Sequence, residues 1–143
     1  MIRPVLKKDY KQVYQLGNLL HQDYEKLYPL DKMLKYPYFH LIVYEEKGKI
    51  LGFLSYTDLR VTLDILDVVV HQDYRKRHIA SNLIDYAITG AHPGCEFFIE
   101  VDVNNKQAIS LYEKFGFEII DIREKYYQDS DAYVMKRVIK NEK

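Results

Sequence analysis

The sequence predicts an α/β (α+β) fold that forms one domain over residues 1–143. Short apolar, β-branched runs, typical of strands, alternate with longer segments whose apolar residues recur every three or four positions, as on one face of a helix. Glycine and proline separate these segments, most clearly in residues 89–94. A chain of this length buries about two thirds of the surface of its unfolded form, so one domain is long enough to hold a core.

The first half of the chain predicts a strand, two helices and an antiparallel strand pair. The first helix is predicted by apolar residues on one face, and Pro29 interrupts it. A charged turn around Gly48 joins the two paired strands. The apolar face comprises Val13, Leu16, Leu20, Tyr24 and Leu27. The segments are residues 2–6 (strand), 8–27 and 30–36 (helices), and 39–44 and 50–59 (strands).

The second half predicts four strands and two helices. A buried strand over residues 65–70 leads through a polar turn into a helix with one apolar face. Asn104 and Asn105 are typical caps for the second helix. The apolar faces comprise Ala80, Leu83, Ile84, Ala87 and Ile88 in the first helix, and Ala108, Leu111, Tyr112 and Phe115 in the second. The remaining strands are residues 97–103, 117–123 and 132–138, the last two joined by a polar loop over 128–131.

Composition excludes several classes of protein. The 21 basic and 21 acidic residues cancel, so no global field attracts nucleic acid or an anionic membrane, and any anion site must be local. One cysteine excludes an intramolecular disulfide and fits a reducing compartment. No apolar run has the length of a membrane span or a signal sequence. We therefore expect a cytoplasmic chain that binds neither nucleic acid nor membrane, with monomer and homodimer both open.

The junction of residues 75–80 predicts an anion site. Arg75, Lys76 and Arg77 precede a helix whose first backbone N–H groups lack carbonyl partners. The helix dipole adds partial positive charge at this end, so a diphosphate is the expected guest.

Two motifs, Arg75-x-x-His78-x-Ala80 and a second one over residues 105–117, together resemble those of the GNAT N-acetyltransferases. Arg75-x-x-His78-x-Ala80 is similar to the coenzyme A pyrophosphate motif, although histidine replaces a glycine at its fourth position. Asn105-x-x-Ala108-x-x-Leu111-Tyr112-x-x-x-Gly116-Phe117 resembles the second motif at all its positions. The resemblance implies a central mixed, mostly antiparallel sheet of about six or seven strands flanked by about four helices. It also implies transfer of an acetyl group from acetyl-CoA to a primary amine.

The resemblance assigns acetyl-CoA to the junction and to the strand before it. Backbone groups of the strand would bind pantetheine, although the same valines also suit a plain core strand. Phosphate contact by the Lys76 and Arg77 side chains, or simple solvation of both, stays open. Asn105 is expected first as a helix cap and second as a pantetheine ligand. The predicted cofactor-binding residues are Val68, Val69, Val70, Arg75, Lys76, Arg77, His78, Ile79, Ala80 and Asn105.

His78 is expected in the first helical turn, with helical φ and ψ. Its Cβ would crowd an approaching phosphate, so we expect weaker cofactor binding than with glycine. An exposed histidine is favoured over a catalytic one. Glycine at a helical position would cost about 0.5–1 kcal/mol in stability.

Tyr112 and Glu100 are the predicted catalytic residues. The family places a tyrosine beside the thioester sulfur as general acid, although Tyr112 also suits the core of its own helix. Glu100 resembles the proposed base of bacterial ribosomal-protein alanine N-terminal acetyltransferases, acting through water; the alternative is an outward strand carboxylate. Asp64 is the rival base, because it matches a glutamate of histone-type members.

The acceptor is expected to be a protein N-terminal α-amine, with ribosomal proteins among the candidates. Such an amine suits a weak base, because its pKa is near 8 and that of lysine is near 10.4. Arg123-x-x-Tyr126-Tyr127 and Asp131-Ala132-x-x-Met135 resemble the same subgroup, in which paired tyrosines cover the peptide. The predicted acceptor-binding residues are Tyr28, Tyr126 and Tyr127.

Two other functions stay open. One is acetylation of a small amine such as a polyamine or antibiotic, and the other is a non-catalytic module that binds CoA or a peptide. The five histidines lack metal-ligand spacing, so no metal is expected.

Overall fold

The computed structural model describes residues 1–127 and 130–137, and for residues 125–127 it describes the backbone alone. This part of the chain contains seven strands and five α-helical segments, two of them a single turn. The strands are β1 (Ile2–Pro4), β2 (Phe39–Glu46), β3 (Lys49–Asp58), β4 (Thr62–Val70), β5 (Glu96–Asp102), β6 (Phe117–Tyr127) and β7 (Ser130–Arg137). The helices are α1 (Tyr10–Gly17), α2 (Tyr24–Leu27), α3 (Leu30–Met33), α4 (Ile79–Thr89) and α5 (Lys106–Lys114).

The strands form one mixed sheet in the order β1-β2-β3-β4-β5-β7-β6. The β1–β2, β2–β3, β5–β7 and β6–β7 pairs are antiparallel, whereas β4 and β5 are parallel. The α/β class and the mostly antiparallel sheet expected from the sequence are therefore confirmed. The chain divides into two compact units, residues 1–58 with 66–90, and residues 59–65 with the part from 91 onward. The single-domain organisation stays a prediction.

The core of the first unit lies between α1–α3 and one face of β2 and β3. Its fully buried side chains come from both the helices and the strands, and this burial of apolar surface is the main stabilising term. The members are Val13, Leu16, Tyr24, Leu30, Phe39, Leu41, Val43, Ile50, Phe53 and Val69. Helix α4 also belongs to this unit and buries Ile79, Leu83, Ile84 and Ala87. The last three belong to the predicted apolar face, whereas Ile79 does not, and Ala80 and Ile88 of that face are half-buried.

The single helix predicted over residues 8–27 is wrong. Helix α1 ends at Gly17, and the chain turns before α2 begins at Tyr24. The turn needs a left-handed backbone at Asp23, where φ is 59°, and it leaves Leu20 47% exposed. Leu27, the last residue of the predicted face, is 56% exposed. Apolar spacing continues across the turn because Tyr24 returns to the core.

The second unit contains α5, β5, β6, β7 and the first residues of β4. Strand β5 alternates buried and half-buried side chains, with Phe97, Ile99 and Val101 in the core. The predicted loop over 128–131 is partly wrong, since Ser130 and Asp131 belong to β7, and residues 128–129 and 138 lie outside the described part. Within the described residues, no helix has the length and apolar character needed to cross a membrane.

Candidate active site

The end of β4 presents the valines that the sequence assigns to pantetheine. Val69 is 6% exposed and packs in the core of the first unit, while Val68 and Val70 are half-buried and point to the opposite face. A 3-10 turn over Gln72–Tyr74 follows, and the Nδ1 atom of His71 accepts a hydrogen bond of 3.1 Å from the Asp73 N–H. The strand therefore has a core side at Val69 and a half-buried side at Val68 and Val70.

The N-terminus of α4 has no side-chain cap. His78 is the N-cap residue, and its carbonyl accepts the first helical hydrogen bond from Asn82 N–H at 3.0 Å. Helix α5 differs, because the Oδ1 atom of Asn105 accepts a hydrogen bond of 3.2 Å from Ala108 N–H. The capping role predicted for Asn105 is confirmed. The first amides of α4 are thus left for an anion.

His78 is not in the first helical turn, so that expectation is wrong. Its φ is 60° and its ψ is 24°, which is the left-handed region, and Lys76 in the same turn also has a positive φ of 67°. A side chain with a Cβ is disfavoured in this region, whereas glycine adopts it without cost. The glycine of the GNAT motif is therefore the residue that this backbone favours.

The basic side chains of the turn have partners that the sequence did not reveal. Arg77 Nη2 lies 3.0 Å from Glu46 Oε2 in an exposed ion pair, and its guanidinium lies 5.5 Å from the centre of the Tyr74 ring. Lys49 Nζ lies 5.0 Å from the same ring centre. In the sequence, the only local sign of this arrangement is that Tyr74 directly precedes three cationic residues. Arg77 is thus held by Glu46 and Tyr74, while Arg75 and Lys76 are exposed.

Glu100 lies in the second unit on the half-buried face of β5. Its Oε1 atom is 3.2 Å from Arg123 Nη1 on β6, in an ion pair whose side chains are 28% and 54% exposed. Its Oε2 atom is buried and has no hydrogen-bond partner among the described residues. Buried polar atoms in folded proteins nearly always have a partner, so this oxygen is a candidate to accept a hydrogen bond from a group outside the described residues.

Asp64 lies on the same face as Glu100. Asp64 is opposite Phe98 in the parallel β4–β5 pair, and Glu100 follows Phe98 by two residues. Partial burial and, secondarily, the negative charge of Glu100 raise the pKa of the Asp64 carboxyl. The structure thus brings together the two candidate bases. It also pairs Glu100 with Arg123, which the sequence named only as part of a motif.

Tyr112 is 7% exposed, and its ring centre lies 6.0 Å from that of Phe117. The side chain is therefore part of the core of the second unit, whichever further role it has. Tyr28 is half-buried in the first unit, with its ring centre 4.7 Å from that of Tyr24. The backbones of Tyr126 and Tyr127 belong to β6, but their side chains lie outside the described residues.

The described residues contain no group of three His, Cys, Asp or Glu side chains that could hold a metal ion.

Comparison with known proteins identifies the family. The model of the acetyltransferase (GNAT) family matches residues 6–117. An N-alpha-acetyltransferase of Saccharolobus solfataricus is 34% identical over 77 residues, which are 51% of this chain and 46% of that protein. The chain spans about half the length of this protein and of the probable N-acetyltransferase san of Drosophila melanogaster.

Solved structures share the fold along almost the whole chain. The Arabidopsis thaliana Naa50 in complex with the bisubstrate analogue CoA-Ac-MVNAL is 26% identical, with a TM-score of 0.79 over 97% of this chain and 98% of that one. The ribosomal-protein-S18-alanine N-acetyltransferase from Escherichia coli is 21% identical, with a TM-score of 0.83 over 99% and 96%. Because the family model covers most of the chain and both motifs lie within the matched residues, the chain belongs to the GNAT family of acetyltransferases.

Proposed function

We propose that the protein transfers an acetyl group from acetyl-CoA to the N-terminal α-amine of a protein. Support for the acceptor comes from the relative named an N-alpha-acetyltransferase and from the similar structure that holds a CoA–peptide analogue. Cytoplasmic location and oligomeric state stay predictions. The observation that carries the proposal is the buried Glu100 Oε2 atom, which has no partner among the described residues.

Glu100 is the general base in this proposal. An α-ammonium group must lose a proton before its nitrogen can attack the thioester carbon, and a carboxylate reached directly or through one water can take that proton. The Arg123 guanidinium binds Oε1 and leaves Oε2 as the oxygen that receives it. Asp64, whose pKa is raised, is the second carboxylate that can hold the proton beside Glu100.

The other steps use the start of α4, the backbone of β4 and the Tyr112 side chain. The free amides at the start of α4 would bind the diphosphate of acetyl-CoA, and the β4 backbone would hold its pantetheine. As the carbon–nitrogen bond forms and the carbon–sulfur bond breaks, the electron pair passes to sulfur. The Tyr112 hydroxyl, protonated at neutral pH, would then give its proton to the departing thiolate. The second proton that the attacking nitrogen loses restores the Tyr112 hydroxyl, while the first stays on Glu100 until it passes to solvent. The products are an N-acetyl peptide and a free thiol.

Thiol release from acetyl-CoA tests the proposal. Peptides with a free N-terminus are compared with the same peptides blocked at the N-terminus, with lysine-containing blocked peptides and with small amines. We expect turnover only where an α-amine is free. Turnover restricted to small amines would transfer the assignment to a small-molecule acetyltransferase. Binding of acetyl-CoA without turnover of any amine would support the non-catalytic module.

A further inference from the structure

The first unit contains a buried carboxylate that the proposed reaction does not use. Asp67 on β4 is only 8% exposed, and its Oδ2 atom accepts a hydrogen bond of 2.7 Å from the Tyr24 hydroxyl. Tyr24 is fully buried. Burial raises the pKa of the Asp67 carboxyl, while the Tyr24 hydrogen bond opposes the rise. A buried carboxylate reduces stability relative to a neutral residue unless its partners compensate, so this pair calls for a functional explanation.

Tyr24 is held in place from several sides. Its N–H donates to Asn18 Oδ1 at 3.0 Å, and its ring packs edge-on against Phe53 at 5.7 Å. Gly17 supplies the space, because a Cβ at that position would lie 2.4 Å from the Tyr24 ring. The hydroxyl is therefore directed at Asp67 by packing as well as by its hydrogen bond.

The Tyr24 ring in turn supports Tyr28. The two ring centres are 4.7 Å apart at an angle of 33°, and Tyr28 is the C-cap residue of α2. Leu30, at the start of α3, is fixed in the same segment by its N–H, which donates to Tyr14 Oη at 3.0 Å. Helix α2 has a single turn and cannot hold its position alone. Contacts with Tyr24, together with the hydrogen bond from Leu30 to Tyr14, therefore hold residues 24–30 on the sheet.

We propose that Asp67 is a positioning residue for acceptor binding, which fixes residues 24–30, and with them Tyr28, through the Tyr24 hydroxyl. This inference rests on the proposed function and on the role in acceptor binding that the sequence predicts for Tyr28. Asp67 directly precedes Val68, the first residue predicted to bind pantetheine. Residues 67 and 68 of β4 therefore link the acceptor segment to the predicted pantetheine site. Loss of the hydrogen bond changes the position of the acceptor segment and leaves the backbone of β4 in its sheet.

Three single variants separate the hydrogen bond from the charge. Tyr24→Phe removes the donor, Asp67→Leu removes the acceptor, and Asp67→Asn keeps an acceptor oxygen without the charge. We expect the first two to raise the peptide KM about tenfold and to leave the Kd of acetyl-CoA within about twofold. Asp67→Asn should keep a KM near that of the wild type. Tyr10→Phe is the matched control, because its ring packs on Tyr14 at 6.5 Å in the same core.

The double variant Tyr24→Phe/Asp67→Leu distinguishes positioning from stability. Replacing both polar partners by apolar groups restores stability in many buried pairs, so its Tm should recover. The peptide KM should stay about tenfold raised, because no directional bond replaces the lost one. If KM recovers together with Tm, or if acetyl-CoA affinity falls in parallel with peptide affinity, Asp67 is a purely structural residue and the inference is wrong.

Amide hydrogen exchange decides the question without any acceptor. In Tyr24→Phe, protection should fall in residues 24–30 and stay unchanged in α4. Unchanged protection of residues 24–30 would overturn the inference even if peptides prove to be substrates. Failure of the wild type to acetylate any peptide would instead overturn the proposed function and leave this measurement valid.

Discussion

His78→Gly tests how the α4 terminus works. His78 has a φ of 60°, and a left-handed backbone costs an L-residue about 1–2 kcal/mol, with histidine toward the lower end because it is enriched there. Glycine removes this cost but enlarges the unfolded ensemble by about 0.4–1 kcal/mol. The balance is a gain of up to about 0.6 kcal/mol in the free energy of unfolding, or a rise of up to about 2 °C in Tm. A helical His78 would have given the opposite sign.

The same substitution should strengthen cofactor binding. Without a Cβ, the amides at the start of α4 are open to closer approach by a phosphate, so the Kd of acetyl-CoA should fall by about two- to tenfold. His78→Asn is the control, since asparagine tolerates the left-handed backbone and caps helices well but keeps the Cβ. It should gain stability without gaining affinity.

Thermal unfolding and calorimetric titration measure the two effects separately. A lower Tm for His78→Gly would refute the argument from backbone strain. A higher Kd would show that the imidazole contacts the cofactor and that crowding by the Cβ is not the dominant effect. Equal affinities of the glycine and asparagine variants would assign the change to the backbone alone.

Three further outcomes are expected. Glu100→Gln should lower kcat/KM by about 10²–10⁴ at neutral pH, with partial recovery at high pH where free amine is abundant; if only Asp64→Asn behaves this way, Asp64 is the base. Tyr112→Phe should bind acetyl-CoA normally but lose a similar factor in kcat in steady-state assays, and a wild-type kcat would restrict Tyr112 to the core. Asp67→Asn should raise Tm more at pH 7 than at pH 4. The pKa of the Asp67 carboxyl is raised in the folded state, so this group stabilises the fold below its unfolded pKa and loses that contribution as the pH rises. An equal change in Tm at both pH values contradicts this.

The sequence predicts elements best where periodicity and end signals agree. Helix α5 has both an apolar face and the Asn105 cap, and its existence and its N-terminal cap were both predicted. The helix predicted over residues 8–27 fails because apolar spacing does not register the turn between Gly17 and Tyr24. The turn depends on a left-handed Asp23 and on space beside a glycine, both of which are properties of the folded chain.

In the candidate site, too, the sequence predicts local features and misses those that depend on the folded chain. Its residue types follow from motifs, so Glu100, Tyr112 and the cations of the turn could be named from the sequence. Partners distant along the chain could not. Tyr24 and Asp67 are 43 residues apart, and only the fold brings the hydroxyl to the carboxylate. The same holds for Arg123, which lies on another strand from Glu100.

Two polar deficits point to the chemistry more directly than any motif. The protein caps α5 with its own Asn105 side chain, yet α4 has no side-chain cap. Arg123 satisfies one oxygen of Glu100, yet the other has no partner among the described residues. Folded chains rarely leave such groups unsatisfied without a ligand or a function. The uncapped start of α4 suits an anion, and the Glu100 oxygen suits a proton donor. Acyl transfer from a nucleotide thioester to an ammonium group provides both, because the nucleotide carries the anion and the ammonium group carries the proton.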